Sequence, residues 1–190
     1  MRLRHDQELD APVDLVWEHF MDLRRIGRCF PGAEVTEVDG DAFVGQIRAR
    51  LGPLSLWFDG TGSMTERDAS ARRARLEASG HERHGLGRAS IGVTLTLHPL
   101  GDHPGAHRTR ARLDTTLDFY GMPLDVGRGL VQRASDPLVE RFLTNMARAD
   151  DAADDATRDA TGDDSGPLDL VRTAGDLLGS FRRDARRRRR

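Results

Sequence analysis

The chain has 190 residues, 37% of them hydrophobic and 32% charged, with a formal net charge of −2. That length suits one domain with appendages, and a folded part of about 150 residues can bury a core. The single cysteine, Cys29, excludes an internal disulfide and fits a reducing cytoplasm, and the opening Met1-Arg2-Leu3-Arg4-His5-Asp6 lacks the apolar core of a secretory signal.

Residues 3–9 read as a first strand, ended by Ala11-Pro12. Residues 13–20 read as a helix with Val16, Trp17 and Phe20 on one side, and Asp22 is placed to cap a second short helix that ends near Gly27. Cys29-Phe30-Pro31-Gly32 is a turn signal, after which the apolar period changes to two. Residues 35–38 form a short strand and Asp39-Gly40 a hairpin turn. Phe43, Gly45, Ile47, Ala49 and Leu51 then alternate with Val44, Gln46, Arg48 and Arg50 until Gly52-Pro53 breaks the run. Leu54, Leu56 and Phe58 resume it towards Met64, with Trp57 on the opposite, outward side as a possible partner contact. Residues 73–79 place Ala74, Leu76 and Ala78 on one face. Ala89, Ile91, Val93, Leu95 and Leu97 oppose Ser90, Gly92, Thr94 and Thr96, and Ala111, Leu113, Thr115, Leu117 and Phe119 oppose Arg110, Arg112, Asp114 and Asp118. One apolar and one polar face per strand predict an antiparallel sheet covered on one side. Val126, Leu130, Ala134, Leu138, Phe142 and Met146 step by four, as in one long helix, and Pro137 is expected to kink it near residues 133–136. Strand, two small helices, six strands and a long helix predict an α+β helix-grip fold. In it a curved antiparallel sheet wraps one helix and leaves a cavity between them.

This domain takes residues 1–149. In residues 150–166, Asp150, Asp151, Asp154, Asp155, Asp159, Asp163 and Asp164 face a lone Arg158, which predicts an acidic flexible linker. Such a linker spans roughly 20–25 Å. In residues 167–190, Leu168, Val171, Ala174, Leu177, Leu178 and Phe181 share one helical face, ahead of Arg182, Arg183, Arg186 and the four arginines after it. The apolar part is about fourteen residues, short of the ~20 needed to span a bilayer, so it is expected to lie in the interface. The seven arginines and one aspartate after Leu178 and Phe181 give net +6, which suits an anionic leaflet. A protein-docking helix, a nucleic-acid arm and an idle solvated tail are the competing readings. The leucine stripe ahead of the arginines argues against nucleic acid. The expected membrane contacts are Leu168, Val171, Leu177, Leu178, Phe181, Arg182, Arg183 and Arg186.

Ala11-Pro12 followed by Val16-Trp17, the Cys29-Phe30-Pro31-Gly32 turn, Leu51-Gly52-Pro53, Phe58 with Gly60, residues 85–89 before a long strand, and Tyr120-Gly121 before the last helix form a series. In order and spacing it resembles the CoxG family, associated with carbon monoxide dehydrogenase, within the SRPBCC (START-like) superfamily. The resemblance covers residues 1–146. It implies a binding module rather than a catalyst, one that recruits a molybdenum hydroxylase of carbon monoxide dehydrogenase type to the membrane and handles lipophilic quinones. The expected place is the inner face of the cell membrane, as a peripheral protein. Phe30 departs from the aliphatic residue usual before Pro-Gly, and a phenylalanine there would narrow a pocket mouth.

Apolar inward-facing residues favour a lipophilic ligand. The expected lining is Phe20, Ile26, Phe30, Leu56, Phe58, Leu86, Phe119, Met122, Val126 and Leu130. The same residues could equally fill a solid core. No resident cofactor beyond a bound quinone or similar molecule is expected. His81-x-x-His84 lacks matching ligands for a metal site, and Gly85-x-Gly87 lacks the rest of a dinucleotide fingerprint. Two rivals remain open. One is a polyketide cyclase or aromatase of the same fold, using Tyr120, His5 or His98 if they turn inward. The other is a pure membrane-recruitment adaptor.

Overall fold

The computed structural model describes residues 1–51, 54–101, 107–121 and 128–148. Chain order is β1 (Arg2–Leu9), α1 (Val13–Met21), α2 (Leu23–Cys29), β2 (Ala33–Asp39), β3 (Ala42–Leu51), β4 (Leu54–Asp68), β5 (Arg73–Glu82), β6 (Arg88–Pro99), β7 (Thr109–Tyr120) and α3 (Arg128–Ala147). The strands form one curved antiparallel sheet of seven in the order β1-β7-β6-β5-β4-β3-β2. Each hairpin pairs sequence neighbours, and β1 returns to lie beside β7, with Leu3 opposite Thr115 and His5 opposite Leu113.

The two short helices follow local chemistry. Asp22 accepts hydrogen bonds from the Arg24 and Arg25 amides at 2.8 and 3.1 Å, which caps α2. The helix continues past Gly27 to Cys29. Gly27 is a packing site and not a stop, since a Cβ there would lie 2.7 Å from Val35 Cγ2 on β2. β4 and β5 are longer than apolar alternation suggests. Gly80, His81 and Glu82 carry no aliphatic side chain, yet Gly80 and His81 keep their ladder partners, Ala89 and Arg88.

The curvature has a local cause. Gly45, Gly60 and Gly80 fall in one cross-strand row that continues through Ala89 to Phe119. A Cβ at Gly60 would lie 2.4 Å from the Ser79 carbonyl oxygen, and one at Gly45 would lie 2.6 Å from that of Glu34. At Gly45 and Gly60 no side chain larger than hydrogen fits.

α3 runs beside β1, with Gln132 bonded to the Arg4 amide and Thr144 to Gln7. The packed core lies under the C-terminal half of α3, where Val139, Phe142, Leu143 and Met146 meet Val16, Trp17, Phe20 and Leu23 of α1 and α2. Phe142 packs edge-on against Phe20 at 5.6 Å and tilted against Phe30 at 5.2 Å. The last carbonyls of a helix lack intrahelical donors. Here buried His19 Nδ1 donates to the Met146 carbonyl at 2.8 Å and Arg25 to that of Arg148 at 2.5 Å. Among the described residues, no helix is long and apolar enough to cross a membrane.

Candidate functional site

The inner face of the sheet divides along its length. On β6 and β7, Leu95 and Leu113 are 4% exposed, Leu97 1% and Ala111 0%. Further along the same strands and on the same face, Ile91, Val93, Leu117 and Phe119 are only half-buried. The half-open part has a floor of Gly45, Gly60, Gly80 and Ala89, which contribute almost no side chain. Phe58 stands on one side of it, and Ile91 and Leu117 on the other. Apolar walls over a floor without side chains can take up an apolar molecule.

The residues expected to line a pocket fall into separate groups. Phe20, Ile26 and Phe30 gather at the packed end, around Phe142. Leu56 and Phe58 are buried on the inner side of β4, outside that core cluster. Phe119 is half-buried on the inner side of β7. Leu86 is 42% exposed at the tip of the β5–β6 hairpin. Leu130 lies in the first turns of α3, while Met122 and Val126 lie outside the described residues. The predicted membrane contacts, Leu168 to Arg186, also lie outside them.

At the half-open end the β5–β6 hairpin is fastened from within. Glu82 is 2% exposed, and its carboxylate accepts from the backbone N–H groups of Trp57 (3.3 Å), His84 (2.7 Å) and Leu86 (3.3 Å), and from His84 Nδ1 (3.1 Å). Burial alone would raise its pKa, but these donors pull it down from 4.5 to about 2. The anchored hairpin carries Leu86 at its tip, while its Gly87 lies beside Gly121, whose Cβ position is 3.6 Å from Gly87 Cα, and Arg88 pairs with Tyr120, which is 59% exposed.

His5 is a polar group that turns inward. Its side chain is 8% exposed, and Nε2 lies 3.1 Å from Ser135 Oγ and 3.3 Å from Asp136 Oδ1. Among the described residues its buried Nδ1 has no hydrogen-bond partner. Burial lowers the His5 pKa, and Asp136 offsets part of that. Tyr120 and His98 are exposed and do not converge with His5. The signal for an inward polar residue was present in β1, where His5 and Gln7 occupy the alternate positions between Leu3 and Leu9.

The outer face is polar and wet. Arg4 pairs with Asp114 at 2.7 Å, Arg110 with Glu8 at 2.8 Å and Arg112 with Asp6 at 3.2 Å. Trp57 faces outward as expected, between the Arg48 and Arg83 guanidinium groups at 5.2 and 4.7 Å from its ring. Asp59 holds Arg83 with two bonds of 2.9 and 2.7 Å. A recess of about 730 Å³ also lies on this face, lined by Thr61, Ser63, Ser79, Ser90, Glu77 and Asp118 among others. Its lining mixes these hydroxyls and carboxylates with Val44, Phe43 and Ile91, and it is open to solvent.

A sequence model of the family described as the carbon monoxide dehydrogenase G subunit (CoxG) matches residues 6–149. No curated protein matches the chain by sequence. Among solved structures, a conserved protein from Geobacillus kaustophilus is similar with a TM-score of 0.64 at 15% identity, covering 84% of this chain and 97% of that one. A Thermus thermophilus protein is similar with a TM-score of 0.52 at 19% identity, covering 85% and 100%. An aromatase/cyclase from a Streptomyces species overlays more loosely, with a TM-score of 0.46 at 15% identity over 87% and 98% of the two chains. That overlay carries no argument about chemistry, and at these identities the likeness of the others is one of fold.

Proposed function

Because this chain belongs to the CoxG family of carbon monoxide dehydrogenase, we propose that it is a non-enzymatic carrier of a lipophilic molecule of quinone type. It holds the molecule between the sheet and α3, and links a molybdenum hydroxylase of carbon monoxide dehydrogenase type to the membrane. The observation that carries the reading is the loss of burial along β6 and β7, from sealed Leu95 and Leu113 to half-buried Ile91 and Leu117. Apolar side chains on a covered sheet face, left partly reachable over a floor of glycines, gain about 25 cal/mol per Å² when an apolar ligand covers them. The family supplies the partner enzyme. The composition of residues 167–190 supplies the membrane: an apolar stripe from Leu168 to Phe181, then seven arginines.

The membrane arm of the proposal has its own test. The full-length chain is expected to co-sediment with vesicles containing phosphatidylglycerol, less so as salt rises. Deleting residues 167–190 should abolish the binding and leave the thermal unfolding of the domain unchanged. A truncated chain that binds as well as the full one would remove the tail from the mechanism.

A further inference from the structure

We propose that His5 is the polar anchor of the bound ligand. Its Nδ1 accepts a hydrogen bond from a hydroxyl group, so the protein favours the hydroxyl-bearing, reduced form of a quinone-type molecule over the carbonyl form. This rests on the reading of the inner face as a ligand site, and it adds which chemical group is recognised and where.

The tautomer follows from the surrounding bonds. Gln132 Nε2 has two hydrogens, and it gives them to the Arg4 carbonyl at 3.0 Å and to Asp136 Oδ1 at 2.8 Å. It has none left for His5 Nε2, which lies 3.1 Å away. Ser135 Oγ lies 2.9 Å from the Gln132 carbonyl, and a hydrogen given there leaves it an acceptor towards His5. Asp136 Oδ1 is an acceptor too. Both acceptors around Nε2 therefore require that Nε2 carry the proton. A proton on Nδ1 instead would set a bare Nε2 against a carboxylate and bury an N–H with no acceptor. The ring is neutral, protonated at Nε2, and offers an unshared lone pair at Nδ1.

An orphaned buried acceptor costs free energy until a donor meets it. Among the described residues none does. The position suits a ligand headgroup. His5 stands opposite Leu113, the last sealed residue on β7, and the next inward residues along that strand, Thr115 and Leu117, are half-buried. Beyond His5 the inward residue of β1, Leu3, is 5% exposed, so the half-open stretch that His5 adjoins lies on β7 and β6. A hydroxyl bonded there leaves an apolar tail running over the glycine floor towards Leu86 and Tyr120. A quinone carbonyl in the same place would face a lone pair with a lone pair and gain nothing.

The test uses the full chain and two stable probes, 1-naphthol and 1-methoxynaphthalene, which share a ring system and differ in the donor. By calorimetric titration, naphthol is expected to bind about fivefold tighter than its ether. His5→Leu should erase that preference by weakening naphthol alone, and His5→Asn, whose Oδ1 can stand near the place of Nδ1, should restore part of it. Asp136 is 53% exposed in its side chain, so Asp136→Asn provides a second, mild variant. Its amide can donate to Nε2, move the proton to Nδ1 and so remove the preference. A long-range proton–nitrogen spectrum of the labelled wild-type chain should place the His5 proton on Nε2. Equal binding of the two probes, a preference that survives in His5→Leu, or a proton on Nδ1 overturns the anchor and leaves the ligand site standing. Failure of both probes to bind overturns both.

Discussion

The two ends of the inner sheet face are built from the same strands and do opposite things. At one end Leu95, Leu97, Ala111 and Leu113 are sealed beneath Phe142, Leu143 and the two short helices, and His19 and Arg25 bond the carbonyls of Met146 in the last turn of α3 and of Arg148 just after it. At the other end Ile91, Leu117 and Phe119 border a floor of glycines and one alanine and stay half-buried. The difference teaches that tight packing on β6 and β7 is confined to one end of the strands. The packed end holds the fold, so the open end is free to remain unfilled. Tight packing makes the first end intolerant of added volume, while at the second Ile91, Leu117 and Phe119 remain only half-buried.

The sharpest way to break this contrast is to add the same bulk at both ends. Ala111→Phe enters a site with no exposed surface and is expected to destabilise the domain by about 1–3 kcal/mol or more, read as a lower urea midpoint. Ala89→Phe enters the half-open floor beside Gly80 and Phe119. It should leave the midpoint nearly unchanged, yet reduce naphthol binding by about tenfold or more as it occupies the ligand's space. Equal destabilisation at the two positions would show that the open end is packed after all.

A smaller effect is expected at the hairpin that borders the open end. The Glu82 carboxylate has a folded pKa of about 2, below its ordinary 4.5. A depressed carboxylate contributes stability in full above the unfolded value and loses it as pH falls through the folded one. The urea midpoint of the wild-type chain should therefore fall towards that of Glu82→Gln between pH ~4.5 and ~2. Above that window Glu82→Gln should unfold a few degrees lower than wild type. A constant gap between the two proteins across that range would mean that Glu82 does not hold the hairpin as a carboxylate.

Much of the fold was legible in the sequence. Period-two alternation located the seven strands, Asp22 announced its cap, and Pro31-Gly32 marked the change from helix to sheet. The crease was not legible. Gly45, Gly60 and Gly80 lie in three different strands, and only the register puts them in one row. Burial along a strand was equally hidden, because Ile91 and Leu95 look alike as letters and differ only in what covers them. Phe20 and Phe30 show the same limit from the other side. Their apolar faces announce burial but not the partner, and both settle on Phe142. Glu82 reads as a surface residue, and it is buried because three nearby backbone amides turn towards it.

The central claim is that the half-open end of the inner face holds a lipophilic molecule. Native mass spectrometry of the full chain, purified gently from the cells that make it, tests this most directly. The account predicts a species heavier than the 21.1 kDa polypeptide by the mass of one organic molecule, released on denaturation and extractable into hexane. It also predicts that this species is lost from Ala89→Phe. A wild-type protein that runs only at its polypeptide mass, and takes up no naphthoquinol or naphthoquinone when either is added, would contradict it.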